Sequence, residues 1–156
     1  MTAFNHFDLS GKRALITGGS KGLGFAIANA FIHSGAEVII TGRNQADLES
    51  ACTTLGRNCK GVVFDLNDIK GIPGFVEEIE MQYGAVDILV NNAGINLKKE
   101  ITEVTDEDYA NVIRVNQQAV FSLSRELAKK MITRKTGSIL MVSSMASQYG
   151  IPKVIA

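Results

Sequence analysis

The sequence predicts an α/β domain built on a parallel sheet with helices on both faces, and three observations lead there. Short apolar runs of strand length alternate with longer stretches of helical period. Runs such as ILMV at 139–142 are nearly continuous rather than alternating, as strands buried on both faces are. The first run ends in a glycine cluster that opens a helix. The chain has 156 residues, 46% of them apolar, which suits one domain with ample material for a core and excludes intrinsic disorder.

In chain order, residues 12–17 (KRALIT) read as a buried strand entering a tight turn. A helix follows over 23–33, with Leu23, Ile27, Ala30 and Phe31 at helical spacing, and Gly35 stops it. Residues 37–41 (EVIIT) form the second strand, and 47–55 a helix ended by Gly56. The third strand is 62–65 (VVFD), and the helix over 74–83 opens after Pro73. Residues 86–90 (VDILV) make the fourth strand, closed by Asn91-Asn92-Ala93-Gly94. One long helix runs from about Thr105 to Met131, starting at a Thr-Asp-Glu-Asp signal that fits a capping box. Residues 138–143 are the fifth strand, and 144–156 carry no clear period.

Composition narrows the function. Sixteen basic and 16 acidic side chains cancel, so there is no footprint for nucleic acid or an acidic membrane. Cys52 and Cys59 match neither a disulfide framework nor a zinc spacing, and His6 and His33 are scattered. Residues 1–10 lack the basic and apolar regions of a signal peptide, and no apolar run reaches the ~18 residues of a membrane span. The chain reads as a soluble, cytoplasmic single domain over 1–156.

The first strand–turn–helix spells Thr17-Gly18-Gly19-Ser20-Lys21-Gly22-Leu23-Gly24. Gly18 permits a sharp exit from the strand, and Gly22 and Gly24 allow close approach of a pyrophosphate and of the helix to the sheet. The helix then offers free amides and the positive end of its dipole to phosphates. A glycine-rich turn can also merely punctuate a βα corner; the repeated βα pattern around it favours the nucleotide reading. The tip of the second strand reads Thr41-Gly42-Arg43-Asn44, without the carboxylate that would bind a ribose 2′-hydroxyl. Arg43 and Lys21 together favour NADP(H), with NAD(H) as the alternative.

The Thr17-Gly-x-x-x-Gly22-x-Gly24 string, followed by Asn91-Asn92-Ala93-Gly94 after the fourth strand, resembles the short-chain dehydrogenase/reductase family across essentially the whole chain. The resemblance implies a Rossmann-type, doubly wound sheet in the order 3-2-1-4-5. It implies phosphate contacts by Gly18, Ser20, Lys21, Gly22 and Leu23, and ribose contacts by Arg43 and Asn44. Asp65 and Leu66 would face adenine, and Asn92, Ala93 and Gly94 would lie beside the ribose. Among family members the pattern is most like sugar-acid enzymes of the gluconate 5-dehydrogenase type; Lys98 and Lys99 would either attract an anionic substrate or belong to a solvated loop. A 3-oxoacyl carrier-protein reductase is the alternative.

Asn116 sits on or beside an apolar face with Val112, Val115 and Ala119. Such a residue can be a buried amide that only satisfies itself; the resemblance implies instead the family's catalytic asparagine, whose backbone orders a proton-relay water. It likewise implies that Ser144, rather than Ser143, hydrogen-bonds the reacting oxygen. The family also needs a tyrosine and a lysine on one helical face. Tyr149-Gly150-Ile151-Pro152-Lys153 has the spacing, but Pro152 would break that helix and Gly150 would weaken it. The family's own spacing from Ser144 to its tyrosine lands just past Ala156. The expectation is a cofactor-binding front part whose catalytic tyrosine, lysine and later strands are missing, with no activity of its own; a non-catalytic nucleotide-binding fragment is the reading from another class. The long helix has more apolar residues than one stripe needs, and the resemblance implies a homodimer or homotetramer of the full-length protein.

Overall fold

A computed structural model describes residues 7–154. The strands are β1 (Arg13–Thr17), β2 (Glu37–Gly42), β3 (Cys59–Val63), β4 (Ile88–Asn91) and β5 (Ser138–Met141). All pair in parallel, in the order β3-β2-β1-β4-β5. The helices are α1 (Gly22–His33), α2 (Gln45–Leu55), α3 (Ile72–Tyr83), α4 (Asp106–Ile113) and α5 (Val120–Arg134). This is the doubly wound, Rossmann-type arrangement the sequence predicts, and among the described residues no helix is long and apolar enough to cross a membrane.

Strand alternation sorts the core into two layers. Leu15, Ile39 and Leu89 are register neighbours and face Phe75, Val76 and Ile79 of α3 and Leu123 and Leu127 of α5. Ala14, Ile16, Val38, Ile40 and Val90 point the other way, toward Ala28 of α1 and Leu48 and Ala51 of α2. The central strand β1 is therefore buried on both faces, which is why its sequence is apolar without alternation.

Three expectations need correction. The third strand is Cys59–Val63, not 62–65, so Asp65 lies in the turn beyond it. β3 is an edge strand, where exposed Lys60 and Gly61 are tolerated, and an apolar-run criterion misses such a start. The long helix is not uniform: a π-helical turn over Arg114–Ala119 separates α4 from α5. The buried positions Val112, Val115, Ala119, Leu123, Leu127 and Met131 step by four residues after the first interval. Repeated steps of four drift off a 3.6-residue stripe, and the wider turn absorbs that drift. Finally, the ILMV run is not buried on both faces. β5 ends at Met141 rather than Ser143, and Leu140, Met141 and Val142 are 43%, 56% and 38% exposed, because β5 is the other edge of the sheet.

The bottom of the α3–α5 layer is held by one carboxylate. Glu80 Oε1 accepts from the Val86 amide (3.0 Å) and from Arg134 Nη1 (3.0 Å), while Arg134 Nη2 donates to the Val86 carbonyl (2.8 Å). One triangle thus ties the ends of α3 and α5 to the segment that leads into β4. Glu80→Ala strands a half-buried guanidinium and an amide and is expected to lower the unfolding free energy by about 1–3 kcal/mol. Urea denaturation of the two chains checks this; an unchanged midpoint would remove the triangle from the account of the fold.

Candidate functional site

The sheet changes winding direction between β1 and β4, and at the carboxyl ends of such neighbours an open α/β fold leaves a crevice. A cleft of about 730 Å³ lies there. Its lining includes Gly18, Ser20 and Lys21 from the first turn, Arg43 and Asn44 after β2, Asp65 and Leu66 after β3, and Asn92, Ala93 and Gly94 after β4. The predicted cofactor residues thus converge from four separate strand ends.

The first turn and the turn after β4 are joined by the hydroxyl of Thr17, which is buried. Thr17 Oγ1 donates to the Val90 carbonyl (3.4 Å) and accepts from the Asn92 and Ala93 amides (3.0 Å each). Asn92 answers with its side chain, Nδ2 donating to the carbonyls of Thr17 (2.9 Å) and Gly18 (3.2 Å). Gly18 turns with φ +65, and a Cβ there would meet Ala93 Cα at 3.1 Å. A Cβ on Gly24 would reach the Gly18 carbonyl oxygen at 2.3 Å, so this glycine lets α1 pack against the turn. Gly22, Leu23 and Gly24, also expected at the cofactor, do not line the cleft, and the Leu23 side chain is exposed.

Helix α1 starts without a side-chain cap: Lys21 is its extended N-cap residue and makes no capping bond, and its first turn holds no acidic residue. Its leading amides and dipole therefore face the turn uncompensated. Two cations and two carboxylates line the cleft. Lys21 Nζ pairs with Asp47 Oδ2 at 3.2 Å, and Asp65 Oδ1 accepts from the Asn67 amide at 2.9 Å. Arg43 makes no ion pair among the described residues. Asn44 is the N-cap of α2, its Oδ1 accepting from the Asp47 amide (3.1 Å), so the oxygen expected at a ribose is spent on the helix and its amide group remains. The buried Thr41 hydroxyl and Asn67 Oδ1, both on the cleft wall, have no hydrogen-bond partner among the described residues.

Asn116 lies within the π turn, and both polar ends of its side chain are occupied. Oδ1 accepts from the Ile95 amide and Nδ2 donates to the Ile95 carbonyl, each at 2.9 Å. The amide therefore completes the backbone pairing of the segment after Gly94, and only the neighbouring Val115 reaches the cleft wall. Ser144 is exposed and caps a short 3₁₀ turn over Met145–Ser147, its Oγ accepting from the Ala146 amide (3.1 Å). Neither Asn116 nor Ser144 lines the cleft.

Tyr149 and Lys153 are not on a helix. Tyr149 is exposed, Lys153 has φ +65, and its Nζ pairs with Glu100 Oε1 at 2.7 Å. Lys98 forms an isolated antiparallel bridge with Val154, which brings this segment beside the loop after β4. Lys99 is committed as well: its Nζ lies 2.6 Å from Asp108 Oδ2 and, with the Thr105 backbone and hydroxyl, holds that carboxyl below its ordinary range. Asp108 and Thr105 form the predicted capping box of α4.

Several site residues escaped the sequence reading. Ile95 and Asp47 carry no pattern of their own, and the motifs that begin at Thr17 and Asn91 give those two residues no role. Asn91 is buried, its Nδ2 donating to Ser124 Oγ (3.0 Å) and to Met141 Sδ (3.3 Å), so it braces β4 against α5 and β5. Gly19 was legible as part of the glycine cluster, yet its reason is local: a Cβ would strike Ile40 Cγ2 at 2.4 Å.

A sheet of this order, with a glycine turn, uncapped helix and cleft at its switch point, defines a dinucleotide-binding α/β protein. The chain belongs to the short chain dehydrogenase family, whose model matches residues 12–156. It is 36% identical to gluconate 5-dehydrogenase of Gluconobacter oxydans over 151 residues, 95% of this chain and 59% of that protein. It is 35% identical to 3-oxoacyl-[acyl-carrier-protein] reductase of Escherichia coli over 143 residues, 92% of this chain and 59% of that protein. Among solved structures, gluconate 5-dehydrogenase from Burkholderia cenocepacia, in complex with NADP and tartrate, superposes with a TM-score of 0.87 at 32% identity, covering 95% of this chain and 59% of that one. The chain thus spans about 59% of the length of these relatives.

Thr17 is the residue whose removal tests the site's construction. Thr17→Val keeps the shape and leaves two amides without an acceptor, so a loss of about 2–4 kcal/mol is expected, largely restored by Thr17→Ser. Equilibrium unfolding of the three chains decides; equal stability of the valine variant would show that the two turns hold without the hydroxyl.

Proposed function

We propose that this chain carries the cofactor-binding part of an NADP(H)-dependent oxidoreductase acting on a hydroxyl or keto group of a sugar acid. The observation that carries the reading is the pair of cations that line the cleft, Lys21 in the first turn and Arg43 after β2. Both belong to the cleft lining, and the tip of β2 is Gly42 rather than a carboxylate. The donor set fits a dinucleotide: uncapped α1 amides for the pyrophosphate, two cations for a 2′-phosphate, and two orphaned polar atoms in the wall. When bound, the cofactor supplies the hydride donor or acceptor. Gly18, Ser20, Gly22 and Leu23 would hold its phosphates through backbone and hydroxyl groups. Arg43 and the Asn44 amide group would hold the adenosine ribose. Asp65 and Leu66 would meet the adenine, and Asn92, Ala93 and Gly94 would border the ribose. Because Ile95 occupies the Asn116 side chain, any proton-relay role of Asn116 falls to its main chain, and Ser144 would hydrogen-bond the reacting oxygen.

The sugar-acid reading rests on the gluconate 5-dehydrogenase relatives, one of them bound to NADP and tartrate. With Lys99 neutralised by Asp108, Lys98 is left as the cation of that loop to attract an anionic substrate. The outward stripe of α5, with Phe121 and Ile132 exposed and Arg125 stacked 5.4 Å over Phe121, supports a homodimer or homotetramer of the full-length protein. A second reading, a nucleotide-binding module without chemistry, is favoured by one feature. Tyr149 and Lys153 lack the shared helical face a proton-transfer pair requires.

Calorimetric titration tests the cofactor assignment: NADPH is expected to bind more tightly than NADH, Arg43→Ala to weaken NADPH by about tenfold, and Lys21→Ala to weaken it by less, each while sparing NADH. Tighter binding of NADH would overturn it. Turnover tests the status of Tyr149. The 156-residue chain is expected to show no hydride transfer to 5-ketogluconate or a 3-oxoacyl thioester, and Tyr149→Phe to change nothing. A normal rate abolished by that substitution would make Tyr149 the proton donor.

A further inference from the structure

The two cysteines, seven positions apart in sequence, meet sulfur to sulfur across α2 and β3. Their Sγ atoms are 3.5 Å apart. Cys59, 4% exposed, sits in the core layer with Val38, Leu48 and Leu55, while Cys52 is half-buried and opens toward solvent. Both carriers are anchored. Cys59 pairs with Val38 in the sheet, its amide bonds to the Gly56 carbonyl (3.0 Å), and the Gly56 amide returns to the Cys52 carbonyl (2.9 Å). The room for the Cys52 sulfur comes from a glycine within the strand: a Cβ on Gly61 would stand 3.2 Å from Cys52 Sγ. A single free cysteine is an ordinary small core residue. Two that share a pocket, with one reachable from solvent, are a dithiol.

We propose that Cys52 and Cys59 are a reversible dithiol–disulfide couple, a modification site that staples α2 to β3 when a peroxide reaches Cys52. The sulfurs need to close by about 1.5 Å to reach a disulfide bond length of ~2.05 Å. In the first step the Cys52 sulfur attacks one oxygen of hydrogen peroxide. The O–O bond breaks, the other oxygen leaves as water with the thiol proton, and Cys52 becomes a sulfenic acid. In the second step the Cys59 sulfur attacks Cys52 Sγ, the S–O bond breaks, and the hydroxyl leaves as water with the Cys59 proton. Two thiols are oxidised to one disulfide and one peroxide is reduced to two waters. The order follows from the environment: Cys52 is the sulfur a peroxide can reach, while Cys59 is buried, and burial, then the hydrogen bond to Cys52, push its thiol up to about 12.

The test is peptide mapping of the wild-type chain after titration with hydrogen peroxide, with alkylation before trypsin. Cleavage after Arg43, Arg57 and Lys60 puts Cys52 in peptide 44–57 and Cys59 in peptide 58–60. The expected product is these two peptides joined, with both thiols lost together and both recovered by dithiothreitol. In Cys59→Ser the link is gone and Cys52 accumulates as a sulfenic acid trapped by dimedone; in Cys52→Ser, Cys59 stays unreacted. The linked peptide is read in the wild-type chain, so the result does not depend on either variant folding. Cys52 running on to sulfinic acid in the wild type as fast as in Cys59→Ser, or cross-linking between chains through Cys52, would overturn the proposal.

Discussion

The hydroxyl of Thr17 is the point on which the upper edge of the sheet depends. One oxygen at the end of the central strand donates to Val90 and accepts two consecutive amides of the turn after β4. Strand pairing alone aligns β1 with β4 only through Val90. Beyond that residue the two chains must diverge to open a crevice, and their backbone groups lose their sheet partners. Thr17 and the Asn92 side chain replace those partners one for one, so the turns separate without leaving buried amides unpaired. The glycine turn packs against this junction: a Cβ on Gly18 would meet Ala93, and one on Gly24 would meet the Gly18 carbonyl, while the Gly18 amide is held from the other side by the Thr41 carbonyl (2.8 Å).

A similar economy governs the loop after Gly94. The side-chain amide of Asn116 has one acceptor and one donor in the geometry of a peptide group, and it meets both backbone groups of Ile95. A helix thereby behaves toward that loop as a strand would. The π turn around Asn116 places the amide there while keeping Val115 and Ala119 in the core. The bland reading of Asn116 as a residue that satisfies buried polar groups and the reading of it as part of the chemistry are compatible, since the first uses the side chain and the second the backbone.

How legible these features were in the sequence depends on whether the physics is local. The βα alternation, the glycine turn and the Thr105 capping box are written in neighbouring residues, and they emerge where expected. The sheet order followed from the resemblance carried by two motifs. By contrast, Thr17 reads as an ordinary β-forming residue, because its value lies in two amides about 75 positions away. Asp47 only opens the helix expected over 47–55, and its contact with Lys21 depends on how two separate βα corners face each other. The start of β3 was missed because an edge strand need not be apolar at Lys60 and Gly61. The spacing of the cysteines matches no motif because it spans a helix end, a turn and a strand start, and only folding brings the sulfurs together.

The Lys21–Asp47 pair has a further consequence for the electrostatics of ligand entry. The positive end of the cleft is not bare: it already holds an anion, supplied by the protein itself. On the proposed cofactor assignment, a phosphate arriving there would displace the Asp47 carboxylate from Lys21 rather than neutralise an idle cation. Its gain is the difference between two ion pairs, and Asp47 is returned to water in the same event. Capture at Lys21 would thus be an exchange of counterions, with a weaker ionic-strength dependence than charge counting would suggest, whereas Arg43, with no ion pair among the described residues, would contribute its attraction in full.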